Sequence, residues 1–210
     1  MTILFFGDSI TWGAWDTDGG WVARIKKFVD EKIISSNFEY YNDLYNVGIS
    51  GDNTDDLLNR FDSETKSRIE QNEETSFVFE IGVNDSQYVE GEGNRIAIDK
   101  FNDNLKELIL KARKYGSKIA FVGLFPTDDS KLNPTPWGDN KSYKLEYVEN
   151  YNEVIKNICH LENVDFIDIY SQFINKDYKS LLIDGLHPNS GGHKQISETI
   201  LRYLEVTGTP

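Results

Sequence analysis

The sequence predicts an open α/β fold, a parallel sheet with helices on both of its faces. Short apolar runs rich in β-branched and aromatic residues alternate along the chain with segments of helical period. The runs are hydrophobic almost without interruption, as strands buried on both faces must be. A β-α order repeated in this way leaves parallel strands joined by right-handed crossovers as the expected topology.

The first expected strand covers residues 3–6, Ile3-Leu4-Phe5-Phe6, and a helix over 20–34 follows, opened by Trp21-Val22-Ala23-Arg24-Ile25. A second strand is expected over 40–47, a weaker helix over 55–69 and a third strand over 77–81. Over 101–115, Phe101, Leu105, Leu108, Ile109 and Ala112 fall on one helical stripe. A fourth strand is expected over 119–125. Val148, Tyr151, Ile155 and Ile158 form a second stripe within 143–161. The fifth strand, 164–169, and a last helix after Gly191-Gly192 complete the pattern. Repeats, low-complexity tracts and linker-like stretches are absent from the sequence, so 210 residues predict one domain over 1–210.

Composition narrows the function classes. With 22 Lys+Arg against 35 Asp+Glu, the formal net charge is −13, which argues against binding to nucleic acid or to anionic membrane. Cys159 is the one cysteine, so no intramolecular disulfide is possible. It lies beside Ile158 on a helical stripe and reads as core rather than as a nucleophile. No apolar run approaches the roughly 18 residues of a membrane span. Met1-Thr2-Ile3-Leu4-Phe5-Phe6 lacks the basic start and length of a signal peptide. The expectation is a soluble, cytoplasmic protein.

In open α/β sheets the ligand sits outside the carboxyl ends of the strands, so the residues just after each strand are the ones to read for chemistry. Three histidines are present. His160 ends a helical stripe and reads as structural or surface-exposed; His193, at the start of the last helix, reads as surface or packing. His187 differs. Asp184 precedes it by three residues in a Gly/Pro-bounded loop, a spacing that lets the carboxylate hold Nδ1–H and leaves Nε2 free to take a proton.

Ser9 ends the first strand in Gly7-Asp8-Ser9-Ile10-Thr11. Taken alone it reads first as a helix N-cap; as a nucleophile it needs a histidine brought to it by the fold. Asp8 points away from its neighbour along an extended chain and is assigned to loop hydrogen bonding. An oxyanion needs donors. Gly51 can expose a backbone N–H and Asn84 a side-chain amide, although a tight turn would explain each equally well. What favours the functional reading is that serine, glycine, asparagine and an Asp–His pair all fall at strand ends.

These residues resemble the four blocks of the SGNH hydrolase superfamily, the GDSL esterases and lipases. Gly7-Asp8-Ser9-Ile10 resembles the first block, with Ile10 in place of the usual Leu. Gly48-Ile49-Ser50-Gly51-Asp52 resembles the second, Gly82-Val83-Asn84-Asp85 the third and Asp184-Gly185-Leu186-His187-Pro188 the last. The blocks come in the family's order and span nearly the whole chain. The resemblance implies a flavodoxin-like, three-layer α/β/α sandwich with a five-stranded parallel sheet of order 2-1-3-4-5. It implies a catalytic triad of Ser9, His187 and Asp184, and an oxyanion hole from the Ser9 N–H, the Gly51 N–H and the Asn84 side chain. Gly48 is the alternative to Gly51. Gly51 is preferred because Ser-Gly-Asp resembles the second block of the lysophospholipase/thioesterase branch. The family uses no metal, and no cofactor is expected.

The implied function is a serine esterase acting on small or short-chain esters through an acyl-enzyme, with lysophospholipid, thioester and carbohydrate O-acetyl substrates as alternatives. A flavodoxin-like phosphate- or nucleotide-binding module is the non-enzymatic alternative, disfavoured because no P-loop or G-x-G-x-x-G follows the first strand. Trp12, Trp15 and Trp137 are expected to wall the pocket, and Trp21 to pack in the core. The loop 126–140 is expected to form a lid or a pocket wall. Asp8, Asp52 and Asp85 beside the site suggest that the −13 charge extends to it. Oligomeric state is not legible.

Overall fold

The structure is a computed structural model that describes residues 1–70, 74–116 and 118–208. Five parallel strands form the main sheet: β1 (Thr2–Gly7), β2 (Asp43–Gly48), β3 (Thr75–Glu80), β4 (Lys118–Val122) and β5 (Asp165–Ile167). Their order is β2-β1-β3-β4-β5, the 2-1-3-4-5 order expected. The helices are α1 (Ser9–Trp12), α2 (Gly20–Ser35), α3 (Thr54–Lys66), α4 (Ile98–Ala112), α5 (Leu145–Glu162), α6 (Tyr170–Ile174) and α7 (Ser190–Val206).

Two neighbouring phenylalanines establish the layering. Successive strand side chains point to opposite faces. Phe5 of β1 meets Trp21 of α2 edge-on at 5.3 Å, whereas Phe6 meets Phe61 of α3 at 5.1 Å. So α2 and α3 lie on opposite sides of the sheet, and α7 packs with α2 while α4 packs with α3 and α5. On the α3 side an aromatic ladder runs across the strands through Phe6, Phe77, Phe79 and Phe121. All six residues of β1 are buried, as a central strand covered on both faces requires.

Element boundaries depart from the expectation where side chains compete for backbone groups. The run 40–47 becomes strand only from Asp43, because Ser36 Oγ accepts the Tyr40 N–H at 3.0 Å and Asn37 and Phe38 adopt positive φ. The fourth strand stops at Val122 rather than 125, since Asn152 Oδ1 takes the Leu124 N–H at 2.9 Å. The fifth stops at Ile167 rather than 169, where Asp168 Oδ1 accepts from Ser171 N at 3.0 Å and turns the chain into α6. The last helix starts before the glycine pair, capped by Asn189, which accepts from Gly192 N at 3.1 Å. A Cβ on Gly192 would sit 2.8 Å from the Leu181 carbonyl, so the pair serves close packing within the first turn.

A second, antiparallel sheet joins Tyr88–Val89 to Gly93–Asn94 and Lys141–Ser142. It has no counterpart in the sequence reading. It anchors the loop after β4, as do the Thr135 N–H on Lys141 O at 2.8 Å and the Asp128 N–H on Gly185 O at 2.8 Å. The loop is thus a pinned wall rather than a lid. No described helix is long and apolar enough to cross a membrane.

Candidate active site

β1 ends in register with the ends of β2 and β3, Gly7 pairing with Gly48 and with Glu80. The turns after these three strands therefore converge. Ser9 opens α1, but it is not the cap: Asp8 is, its Oδ1 accepting the Ile10 N–H at 2.9 Å. That leaves the Ser9 hydroxyl for His187, whose Nε2 lies 2.9 Å away across 178 residues of sequence. His187 Nδ1 lies 2.7 Å from Asp184 Oδ2. Asp184 Oδ1 also accepts the Leu186 and His187 backbone N–H groups at 2.9 and 2.8 Å, which fixes the loop between the pair. Burial would raise the Asp184 carboxyl, but the hydrogen bonds from the His187 ring and backbone hold it below the usual carboxylate range. An ionised Asp184 is an acceptor only, so Nδ1 carries the proton and Nε2 presents its lone pair to Ser9 Oγ–H. This is the arrangement that a base-activated serine requires.

Asn84 and Gly51 line the same space. Asn84 Oδ1 accepts from Tyr143 OH at 2.8 Å, which sets the amide's orientation; its Nδ2 lies 3.0 Å from the Asp52 carbonyl and 3.3 Å from Asp8 Oδ2. Gly51, at φ +86°, lines the cavity with open space where a Cβ would stand. Gly48 does something else. Its N–H is held by Asn46 Oδ1 at 3.0 Å, and a Cβ there would meet the Trp12 nitrogen at 2.5 Å and the Asp8 carbonyl at 2.8 Å. It lets α1 pack onto β2.

The cavity holds about 610 Å³ and brings together Ser9, Gly51, Asn84, Asp184 and His187 with Trp15, Trp137 and Tyr143. Such a volume suits a small-molecule site. Trp12 does not reach it: its side chain is half exposed and lies outside the lining. The left-handed Gly13 ends α1, and the chain returns through Trp15 at φ 64°, so Trp15 stands beside His187 instead. The Trp15 Nε1 approaches His187 Nδ1 to 3.3 Å. Because Nδ1 spends its proton on Asp184, this approach is a contact and not an accepted hydrogen bond. Trp137 flanks the imidazole as well, with ring centres 6.4 Å apart.

The expected acidic site face is not present. Asp8 and Asp85 are buried, Asp52 is paired with Arg60 at 2.6 Å, and none of the three lines the cavity. Among the described residues Asp184 is the one carboxylate in the lining, and no Lys or Arg is in it. His193 is a packing residue, fully buried with its titration pushed down to about 4 by burial, and His160 is exposed. Trp21 and Cys159 are buried core residues. Among the described residues no group of three or more His, Cys, Asp or Glu side chains is placed to hold a metal. Sequence reasoning missed Tyr143, which follows the loop 126–140 and carries no motif; its role depends on a contact across 59 residues.

The fold and this constellation are those of the serine acyl hydrolases. The chain belongs to the GDSL-like Lipase/Acylhydrolase family, whose family model matches residues 5–195. It is 25% identical to a multidomain esterase of Ruminococcus flavefaciens over 98% of its own length, and it spans 28% of the length of that relative. Among solved structures it is similar to a lipase/acylhydrolase from Enterococcus faecalis, with TM-score 0.75, 21% identity and coverage of 98% and 96% of the two chains. An acetyl xylan esterase, AlAXEase, has TM-score 0.74 at 21% identity, covering 97% of this chain and 100% of its own.

Proposed function

We propose that the protein is a serine ester hydrolase that works through an acyl-enzyme on Ser9. The observation that carries this reading is the unbroken relay from Ser9 Oγ to His187 Nε2 at 2.9 Å and from His187 Nδ1 to Asp184 Oδ2 at 2.7 Å. His187 takes the Ser9 proton as the oxygen attacks the ester carbonyl, and the C–O bond forms as the carbonyl π pair moves onto oxygen. That oxyanion is held by the Ser9 and Gly51 N–H groups and by Asn84 Nδ2. As the intermediate collapses, the alcohol leaves with the proton from His187. Water, deprotonated by His187, then attacks the acyl-Ser9 ester and releases the acid by the same steps.

Two observations guide the substrate. Among the described residues the lining contains no Lys or Arg, which suits an uncharged ester better than a phosphate or nucleotide. Trp15 and Trp137 both flank His187, so the alcohol side of the site offers flat apolar walls to a ring, which favours a sugar or aryl ester of a small acid. The test is hydrolysis of p-nitrophenyl esters of increasing acyl length and of acetylated sugars, by wild type and Ser9→Ala. Wild type should prefer the short acyl chains, and the variant should lose all but a residue of the activity. Equal rates for the two proteins would refute the reading.

A further inference from the structure

The relay leaves a second buried cluster unused. Asp8 and Glu80 sit at the ends of the neighbouring central strands β1 and β3, and both are buried. Glu80 Oε2 accepts Thr11 Oγ1–H at 2.8 Å, while Oε1 is buried with no hydrogen-bond partner among the described residues. Asp8 Oδ1 is occupied by the Ile10 N–H, and Oδ2 faces Asn84 Nδ2 at 3.3 Å. An amide has two N–H bonds. In Asn84 one is directed to the Asp52 carbonyl at 3.0 Å and the other to Asp8. To serve an oxyanion, Asn84 must give up one of these, and the longer contact is the one to Asp8.

Two buried carboxylates whose charges bear on each other cannot both ionise at low cost. Burial, and then the Glu80 charge, push the Asp8 carboxyl well above its usual range; burial pushes Glu80 up to about 7. The other groups facing Asp8 are His187, which favours its charge, Asp85, which opposes it, and the phenol of Tyr143. Arg60 of α3 donates to the Gly7 carbonyl at 3.1 Å but is committed to Asp52.

We infer that Asp8 and Glu80 share one proton and that this proton frees Asn84 Nδ2–H for the oxyanion, which makes Asp8 a positioning residue. With the pair singly protonated, Asp8 Oδ2 is a weak acceptor and the Asn84 N–H turns toward the substrate. Once the pair is fully ionised, Asp8 holds that N–H and sets a negative charge behind the oxyanion. Both effects lower kcat as pH rises, and neither touches KM. The inference rests on the Ser9 reading above.

The test is the pH dependence of kcat, from pH 5 to 10, for wild type, Asp8→Asn and Glu80→Gln. Each profile is corrected for uncatalysed hydrolysis and scaled to its own maximum. Asp8→Asn cannot charge, so its alkaline limb should vanish. Glu80→Gln removes the neighbouring charge, so Asp8 ionises more readily and the limb should move to lower pH, by about one unit or more. At pH 8, above the values of Glu80 and Asp85, an infrared band of a protonated carboxyl in the wild type should be lost in Asp8→Asn. Opposite movements of the limb are not expected from a merely structural role. If Ser9→Ala is inactive and the three profiles superimpose, the shared proton is refuted while the hydrolase reading stands. An active Ser9→Ala would refute the hydrolase itself.

Discussion

Asn84 illustrates how much of this site depends on one amide's orientation. Its carbonyl oxygen is spent on Tyr143, so only the NH2 end can face the reacting carbonyl. Asn84→Ala is expected to lower kcat by roughly 10²–10³ with little change in KM, the usual cost of one oxyanion donor. Tyr143→Phe keeps the ring and removes the bond that sets the amide. Its kcat should fall by about 3- to 10-fold, in line with one hydrogen bond. Steady-state kinetics on one ester checks both, and a Tyr143→Phe as damaged as Asn84→Ala would mean that the phenol itself contacts substrate.

Gly48 and Gly51 separate the roles of neighbouring elements within one loop. At Gly48 a methyl group would strike backbone at 2.5 and 2.8 Å where α1 crosses β2. Gly48→Ala should therefore destabilise the fold by about 1–3 kcal/mol, read as a lower denaturation midpoint. At Gly51 the space is open, so Gly51→Ala meets only the strain of φ +86°, about 1–2 kcal/mol. Its larger effect should be on kcat. The reverse pattern would exchange the two assignments. The same loops show what was legible in the sequence and what was not. Strand order and the convergence of Ser9, Gly51, Asn84, Asp184 and His187 on one cavity could be read, because hydrophobic runs and strand-end motifs are local. The strand ends at Val122 and Ile167 could not, since Asn152 and Asp168 compete for backbone groups there. Nor could the choice of Trp15 over Trp12, which depends on left-handed residues at 13 and 15. Tyr143 and the small second sheet escaped for the same reason, being defined by contacts between distant loops.

For the molecule as a whole, the buried carboxylates link stability to pH. Glu80 rises from 4.5 to about 7 and Asp85 from 3.8 to about 6 on folding, both chiefly through burial, and Asp8 rises with them. Between the unfolded and folded values the native state holds protons that the unfolded chain releases, so unfolding free energy falls as pH rises through this window. Each contribution is fully present below the unfolded value and is lost as pH rises through the folded one, about 6 for Asp85 and about 7 for Glu80. Glu80→Gln should thus be relatively more stable than wild type at pH 8 than at pH 5, measured by thermal denaturation at both. A gap that does not change with pH would show that Glu80 is ionised throughout. The net charge of −13 is carried largely elsewhere. The cavity keeps one carboxylate, Asp184, in its lining, so neutral and anionic esters of equal acyl length should differ less than net charge alone suggests.

The central claim is that Ser9 is the nucleophile. A fluorophosphonate probe reacts with a serine only where a base activates it and an oxyanion site receives the phosphoryl oxygen. Intact mass after labelling, followed by peptide mapping, should give one adduct per chain on Ser9, absent from Ser9→Ala and strongly slowed in His187→Ala. Absence of labelling in the folded wild type, or an adduct on another residue, would contradict the account.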